Sequence, residues 1–272
     1  MSNHISVKFF GLMYSAVPDE TFAAKLSDLQ ERLRRYFPRK EVPVIQGFKF
    51  HVNERGIPTQ QVEETHRELH MVDAHGLWGV KIGNSGVAFS TARYVSYDES
   101  VAFIEKIVDV ITEVLGVYHF SRVFLRNINL FNLVEGEQNR FVDIKKESYW
   151  GRQEFDTLKD NFMCNGASTR HEYYSQDYKT QIQLASGVVL RNQSEIPQDE
   201  WDIWKLRGAV PVQNESEAKL LVDINAARHE APVNDPRQQN NVSEYSWDAV
   251  KRSLDELHNI VNNVYFDITT KD

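Results

Sequence analysis

The chain has 272 residues, 41% of them hydrophobic and 26% charged, the balance of a water-soluble globular protein with length for one large domain or two small ones. That balance excludes disordered and collagen-like chains, and no stretch reaches the roughly 20 apolar residues of a membrane span. Its 31 Lys and Arg against 39 Asp and Glu leave a net charge of −8, so the surface repels phosphate backbones and nucleic acid is not an expected partner.

Three helices punctuate the sequence. In the first, Phe22, Leu26, Leu29, Leu33 and Phe37 recur at steps of four and three, the apolar stripe of a core-facing helix over about Asp19 to Phe37. Asp19 is its expected N-cap, and Pro38 stops it. Residues 61 to 92 then read as a meander: a strand from Glu64 to Val72, a turn at Ala74-His75-Gly76, a strand from Leu77 to Ile82, the turn Gly83-Asn84-Ser85-Gly86, and a strand from Val87 to Ala92. Ser96 and Glu99 have the spacing of a capping box. They precede a stripe of Val101, Ile104, Val108, Ile111 and Leu115, which Gly116 can close in a left-handed conformation.

In the second half, strands are expected over Val123 to Phe131, over Tyr178 to Leu184 turned by Ala185-Ser186-Gly187 into Val188 to Leu190, over Ile203 to Val212, and over Leu220 to Ala227. His229 to Asn241, rich in Pro, Asn and Gln, reads as an exposed loop. The third helix spans about Ser246 to Tyr265. Its stripe of Trp247, Val250, Leu254, Leu257, Val261 and Val264 fits an a/d seam that serves the core or a homodimer through this C-terminal helix. Short connections imply antiparallel pairing. The expected class is α+β: mainly antiparallel sheets covered by three principal helices, in two similar halves, 1–120 and 121–272, that share one body or form two.

Searching for chemistry first returns absences. The sequence holds no P-loop, dinucleotide-binding glycine motif, His-Glu-x-x-His, paired-cysteine motif or nucleophile elbow. Gly83-Asn84-Ser85-Gly86 lacks the lysine of a phosphate loop and reads as a hairpin turn. The lone Cys164 reads as a small buried hydrophobe, and with no disulfide available the expected compartment is the cytoplasm. The opening MSNHISVKFFGLMYS has no basic region followed by a long apolar one, so no secretion signal is expected. His66, Glu68 and His70 are the one metal-like cluster and share a face in a strand, but their order is not that of a zinc peptidase, and a solvated sheet face is the expectation. No cofactor is expected.

The strand from Ser121 to Phe131 is unusual because polar groups interrupt both of its apolar faces. Arg126, Asn127 and Asn129, with Asp223 and Asn225 on a later strand and Arg93 on an earlier one, are the candidate binding residues. They form an internal hydrogen-bonded network, with Asp223 a partner for an arginine, or they line a groove.

Phe89-Ser90-Thr91-Ala92-Arg93-Tyr94-Val95-Ser96-Tyr97, Arg122-Val123-Phe124-Leu125-Arg126-Asn127-Ile128-Asn129, Val222-Asp223-Ile224-Asn225, and the run from Leu257-His258 to Phe266-Asp267-Ile268-Thr269 resemble a sporadically distributed family of bacterial conserved hypothetical proteins. The chain departs from that pattern at Tyr97, where the family favours Trp, at Phe124, where it favours Gly, and at Asn127, where it favours an aromatic, which marks a divergent member. Patchy bacterial occurrence implies a phage-defence or toxin–antitoxin accessory factor. The expected function is therefore a non-catalytic, cytoplasmic protein-interaction protein that binds a protein partner or itself. The alternative is a hydrolase or transferase, metal-dependent through His66, Glu68 and His70 or nucleotide-dependent through an Arg93 and Arg126 anion site.

Overall fold

The computed structural model describes residues 5–52, 58–92, 94, 96–134, 141–144, 168–194, 206, 218–234 and 241–269, without the side chains of 45–66. Its centre is a strand that hydropathy had not singled out, β1 (Ile5–Tyr14). After it come α1 (Asp19–Leu33), β2 (Arg39–Glu41), the hairpin β3 (Val44–Val52) and β4 (Pro58–Arg67), then β5 (Leu69–Val72), β6 (Trp78–Ile82), β7 (Gly86–Thr91) and α2 (Tyr97–Leu115). The second half supplies β8 (His119–Asn132), β9 (Ser168–Tyr174), β10 (Thr180–Leu190), β11 (Ala218–His229), the two-residue β12 (Ser243–Glu244) and α3 (Trp247–Ile268).

These strands form one ten-stranded antiparallel sheet in the order β2-β5-β6-β7-β1-β8-β11-β10-β9, with β12 on the start of β8, while β3 and β4 pair apart from it. The class is α+β. The boundary at residue 120 falls at the β1–β8 pairing, in the middle of this continuous sheet. None of the described helices is long and apolar enough to cross a membrane.

All three helices contribute to one large core on a single sheet face, where Phe10, Leu12 and Tyr14 of β1 meet Phe22 and Leu29 of α1, Ile104 and Ile111 of α2, and Leu254 and Leu257 of α3. Burying a Leu or Phe side chain stabilises by about 1.5–3 kcal/mol. Val250, Leu254, Leu257 and Val261, the seam of α3, are at most 2% exposed, so that stripe is spent inside the chain. The other face carries a smaller cluster of Val7, Phe9 and Ile128 that includes no residue of α1, α2 or α3.

Local signals set the helix ends. Ser96 and Ser246 cap α2 and α3, their hydroxyls accepting from the backbone N–H of Glu99 at 3.2 Å and of Ala249 at 3.3 Å. Gly116 ends α2 at φ 69°. For α1 the N-cap is Pro18 rather than Asp19, which instead accepts from Asn84 Nδ2 at 2.6 Å and so ties the helix to the β6–β7 turn. The helix also closes at Leu33, short of Phe37, which remains fully buried past its end.

Two strand expectations are corrected. The turn at Ala185-Ser186-Gly187 does not exist: β10 runs straight through it, because the ladders to β9 and β11 satisfy its backbone on both sides and Ser186 is buried opposite Val222. The chain reverses earlier, at Ser175 to Tyr178, where Asp177 and Ser175 side chains accept from the N–H groups of Lys179 and Thr180 and Tyr178 takes φ 55°. The single strand expected from Glu64 to Val72 is broken at Glu68, with β4 pairing to β3 and β5 to β2 and β6. Gly83-Asn84-Ser85-Gly86 is a hairpin turn, closed by Gly83 N–H donating to the Gly86 carbonyl at 2.9 Å. The strand expected over 203–212 lies almost wholly outside the described residues, as do Cys164 and residues 235–240 of the expected loop.

Candidate functional site

The six candidate binding residues do not share one place. β8 sends alternate side chains to opposite faces, so Asn127 and Asn129 enter the helix-covered core while Arg126 lies on the other face with Asp223 and Asn225 of β11. Arg93 lies outside the described residues. Arg126 donates through Nε and Nη2 to both carboxylate oxygens of Asp223 at 2.7 to 3.1 Å, a bidentate pair with both side chains under a fifth exposed. Its guanidinium also lies 5.4 Å from the Phe9 ring centroid. Asn129 donates to the carbonyls of Val222 and Asn127 at 3.2 and 3.4 Å, bracing the β8–β11 ladder. The side-chain carbonyl of Asn225 is buried without a partner.

Of the metal-like cluster, Glu68 and His70 bond each other at 2.7 Å, and the side chain of His66 lies outside the described residues. No group of three potential ligands converges among the described residues.

The structure draws attention to a residue that the sequence reading passed over. Lys8 is fully buried on β1, on the helix-covered face, between Thr91 of β7 and Asn127 of β8. Its ammonium has no hydrogen-bond acceptor among the described residues and is surrounded instead by rings, with the centroids of Tyr94, Phe10 and Tyr97 at 4.1, 5.6 and 5.7 Å. Burial disfavours the charged form and lowers its pKa from 10.5 to about 7.

The cage is braced from α3. The Tyr97 ring stacks on His258 with centroids 3.9 Å apart and planes 3° from parallel. Its hydroxyl donates to Asp255 at 2.9 Å, and Lys251 donates to the same carboxylate at 2.8 Å. Burial and the nearby Lys8 charge lower the His258 pKa to about 4, so this imidazole is neutral at pH 7. The side-chain carbonyls of Asn127 and Asn129 and the Nδ1 of His258 are buried without partners among the described residues. A signal existed: Lys8 occupies the strand phase of Phe10, Leu12 and Tyr14, the buried face of β1.

The third feature is the far edge of the sheet. β9 is the last strand in the order and among the described residues pairs only with β10. Arg170, His171, Glu172, Tyr173 and Tyr174 are all exposed, so both faces of this strand meet solvent. Tyr173 and Tyr174, with Tyr178 in the following turn, are 51%, 41% and 42% exposed, and Tyr174 packs on Tyr178 at 6.0 Å. On the face away from the helices, Gln181 and Gln183 of β10 donate to Glu172 at 2.6 and 2.8 Å, fixing the strand's polar surface.

Comparison with protein-family models and with curated protein sequences finds no match to the chain.

Proposed function

We propose that the protein is a non-catalytic, cytoplasmic interaction protein that binds a partner polypeptide along β9. The observation that carries this reading is a terminal strand exposed on both faces with tyrosine on each, Tyr173 on one and Tyr174, packed on Tyr178 of the turn, on the other. An edge strand offers a row of backbone donors and acceptors to an added strand, while tyrosines supply rigid amphipathic contact area of the kind that dominates binding hot spots. β9 contains no Pro, so each of its backbone N–H groups is retained for pairing, and its exposed Arg170 and Glu172 set the charge pattern that a partner strand must match.

A separate partner fits better than a homodimer through α3, because the apolar seam of that helix is consumed by β8 and β11. The sporadic bacterial distribution of the family that the chain resembles suits an accessory role in phage defence or a toxin–antitoxin pair. The metal- and nucleotide-dependent alternatives draw no support from Glu68 and His70, which bond each other, or from Arg126, which Asp223 engages.

The double variant Tyr173→Lys/Tyr174→Lys tests the reading. Both side chains are about half exposed, so stability should change by no more than about 0.5 kcal/mol per site. Quantitative mass spectrometry of material captured from native lysate should show a protein retained by the wild type and depleted roughly tenfold or more by the variant. Identical captured sets from the two would refute strand docking.

A further inference from the structure

A cleft of about 370 Å³ opens on the face away from the helices, where β8 begins and β11 ends, lined by Met13, Ser121, Arg122, His229, Pro232 and Val233 among others. Arg122 and His229 sit directly opposite each other in the β8–β11 register. Neither the Nε of Arg122 nor the Nε2 of His229, both buried, has a hydrogen-bond partner, and Arg122 makes no ion pair among the described residues. This differs from Arg126, two steps along the same face beyond Phe124, whose charge is met by Asp223. The Arg122 guanidinium is held from below by Phe124, its carbon 5.7 Å from the ring centroid, and that ring in turn lies over Gly11. An oriented, desolvated cation without a counter-charge is costly to keep unless something anionic fills the cleft.

We propose that this cleft is a carboxylate-binding subsite in which Arg122 and His229 hold an acidic side chain of the polypeptide that docks on β9. The proposal rests on the strand-docking reading, and the two places are joined: Val233 at the cleft donates its N–H to the carbonyl of Tyr178 at 2.9 Å, and His229 donates its N–H to Lys179. A strand added to β9 lies three strand spacings, about 14 Å, from β11, so the docking polypeptide reaches the cleft by continuing past the ends of β9 and β10 over roughly four extended residues.

The charge count selects the ligand class. Burial and the Arg122 charge lower the His229 pKa to about 4, leaving a neutral ring that can offer an N–H beside one fixed guanidinium. One positive charge matches one carboxylate, whose two oxygens fit the guanidinium fork, whereas a phosphate dianion would leave an excess negative charge in a chain already at −8.

Acetate and inorganic phosphate, titrated against chloride at constant pH and ionic strength, separate the cases. Acetate should raise the melting temperature of the full chain saturably, and in Arg122→Gln its affinity should fall roughly tenfold or more. In the wild-type protein the His229 ring resonance, assigned by its loss in His229→Gln, should shift along the same acetate isotherm, a readout that does not depend on the folding of the arginine variant. An absent or unsaturable acetate response, a response to phosphate alone, or an equal response in Arg122→Gln would overturn the subsite. Tyr173→Lys/Tyr174→Lys should still bind acetate. A failed acetate titration beside a lost partner in that variant refutes the subsite and leaves strand docking intact; bound acetate beside an undiminished partner refutes the link between them.

Discussion

Replacing Lys8 by Met should stabilise the protein at neutral pH, against the usual direction of a core substitution. The side chain is fully buried, its ammonium lacks an acceptor, and its pKa falls from 10.5 to about 7. Since the folded-state value is depressed for a base, the unfolded chain holds a proton that the folded chain lacks between pH 10.5 and about 7, and stability declines as pH falls through that window. At about 1.4 kcal/mol per pH unit the full penalty is about 5 kcal/mol, reached below pH 7. Attraction to the Tyr94, Phe10 and Tyr97 rings offsets about 2 kcal/mol of it, as expected for a desolvated cation over aromatic faces.

Met has similar length and no charge, so Lys8→Met should gain about 3 kcal/mol at pH 6.5 and about 1 kcal/mol at pH 9.5, where only the unfolded lysine is still protonated. His258, with its pKa at about 4, is neutral across this range in the wild type, and burial, the larger cause of that depression, persists when the Lys8 charge is removed. Urea unfolding followed by tryptophan fluorescence at the two pH values measures it, provided the slopes agree. A destabilised variant at pH 6.5, or a gain that does not change with pH, would refute the reasoning that Lys8 is a desolvated and unpaired amine.

Two further outcomes follow from packing on the face away from the helices. Asp223→Ala should cost about 3 kcal/mol by leaving Arg126 desolvated without its counter-charge, whereas Arg126→Met/Asp223→Leu should lie within about 1–2 kcal/mol of wild type; chemical denaturation of both decides, and equal losses would mean that the pair is not the unit. Gly11→Ala places a Cβ only 1.9 Å from Phe124 Cε1, so it should destabilise by about 1–3 kcal/mol, and adding Phe124→Ala should relieve that clash; a thermal melt in which the double variant is no better than the sum of the singles would show that the ring is not the obstacle.

The helices were largely legible because each sequence carried a 3.6-residue stripe and two of them an end signal that holds: Ser96 before the stripe of α2, Ser246 before that of α3, Gly116 after Leu115. The strands were less so. Ala185-Ser186-Gly187 has turn-forming composition, yet partner strands on both sides supply more hydrogen bonds than a turn could, and the local preference yields. β1 was overlooked because its run from Val7 to Leu12 is interrupted by a lysine, the residue that proves most informative. That Asp223 suits an arginine was legible from residue type alone, but its pairing with Arg126 is set by the β8–β11 register, and the division of Arg126 from Asn127 and Asn129 between opposite faces follows from strand alternation and only becomes consequential once helices cover one face.

By itself the sequence determined the α+β class, the three helices and the acid-rich composition, since those follow from periodicity and counting within short windows. Only the tertiary structure decided that β1 and β8 join the two halves into one sheet, that α3 spends its seam on its own core, and that Lys8 and Arg122 meet no counter-charge among the described residues. Each of these depends on which distant residues become neighbours, and a side chain's desolvation and charge balance are properties of that neighbourhood rather than of the chain's local order.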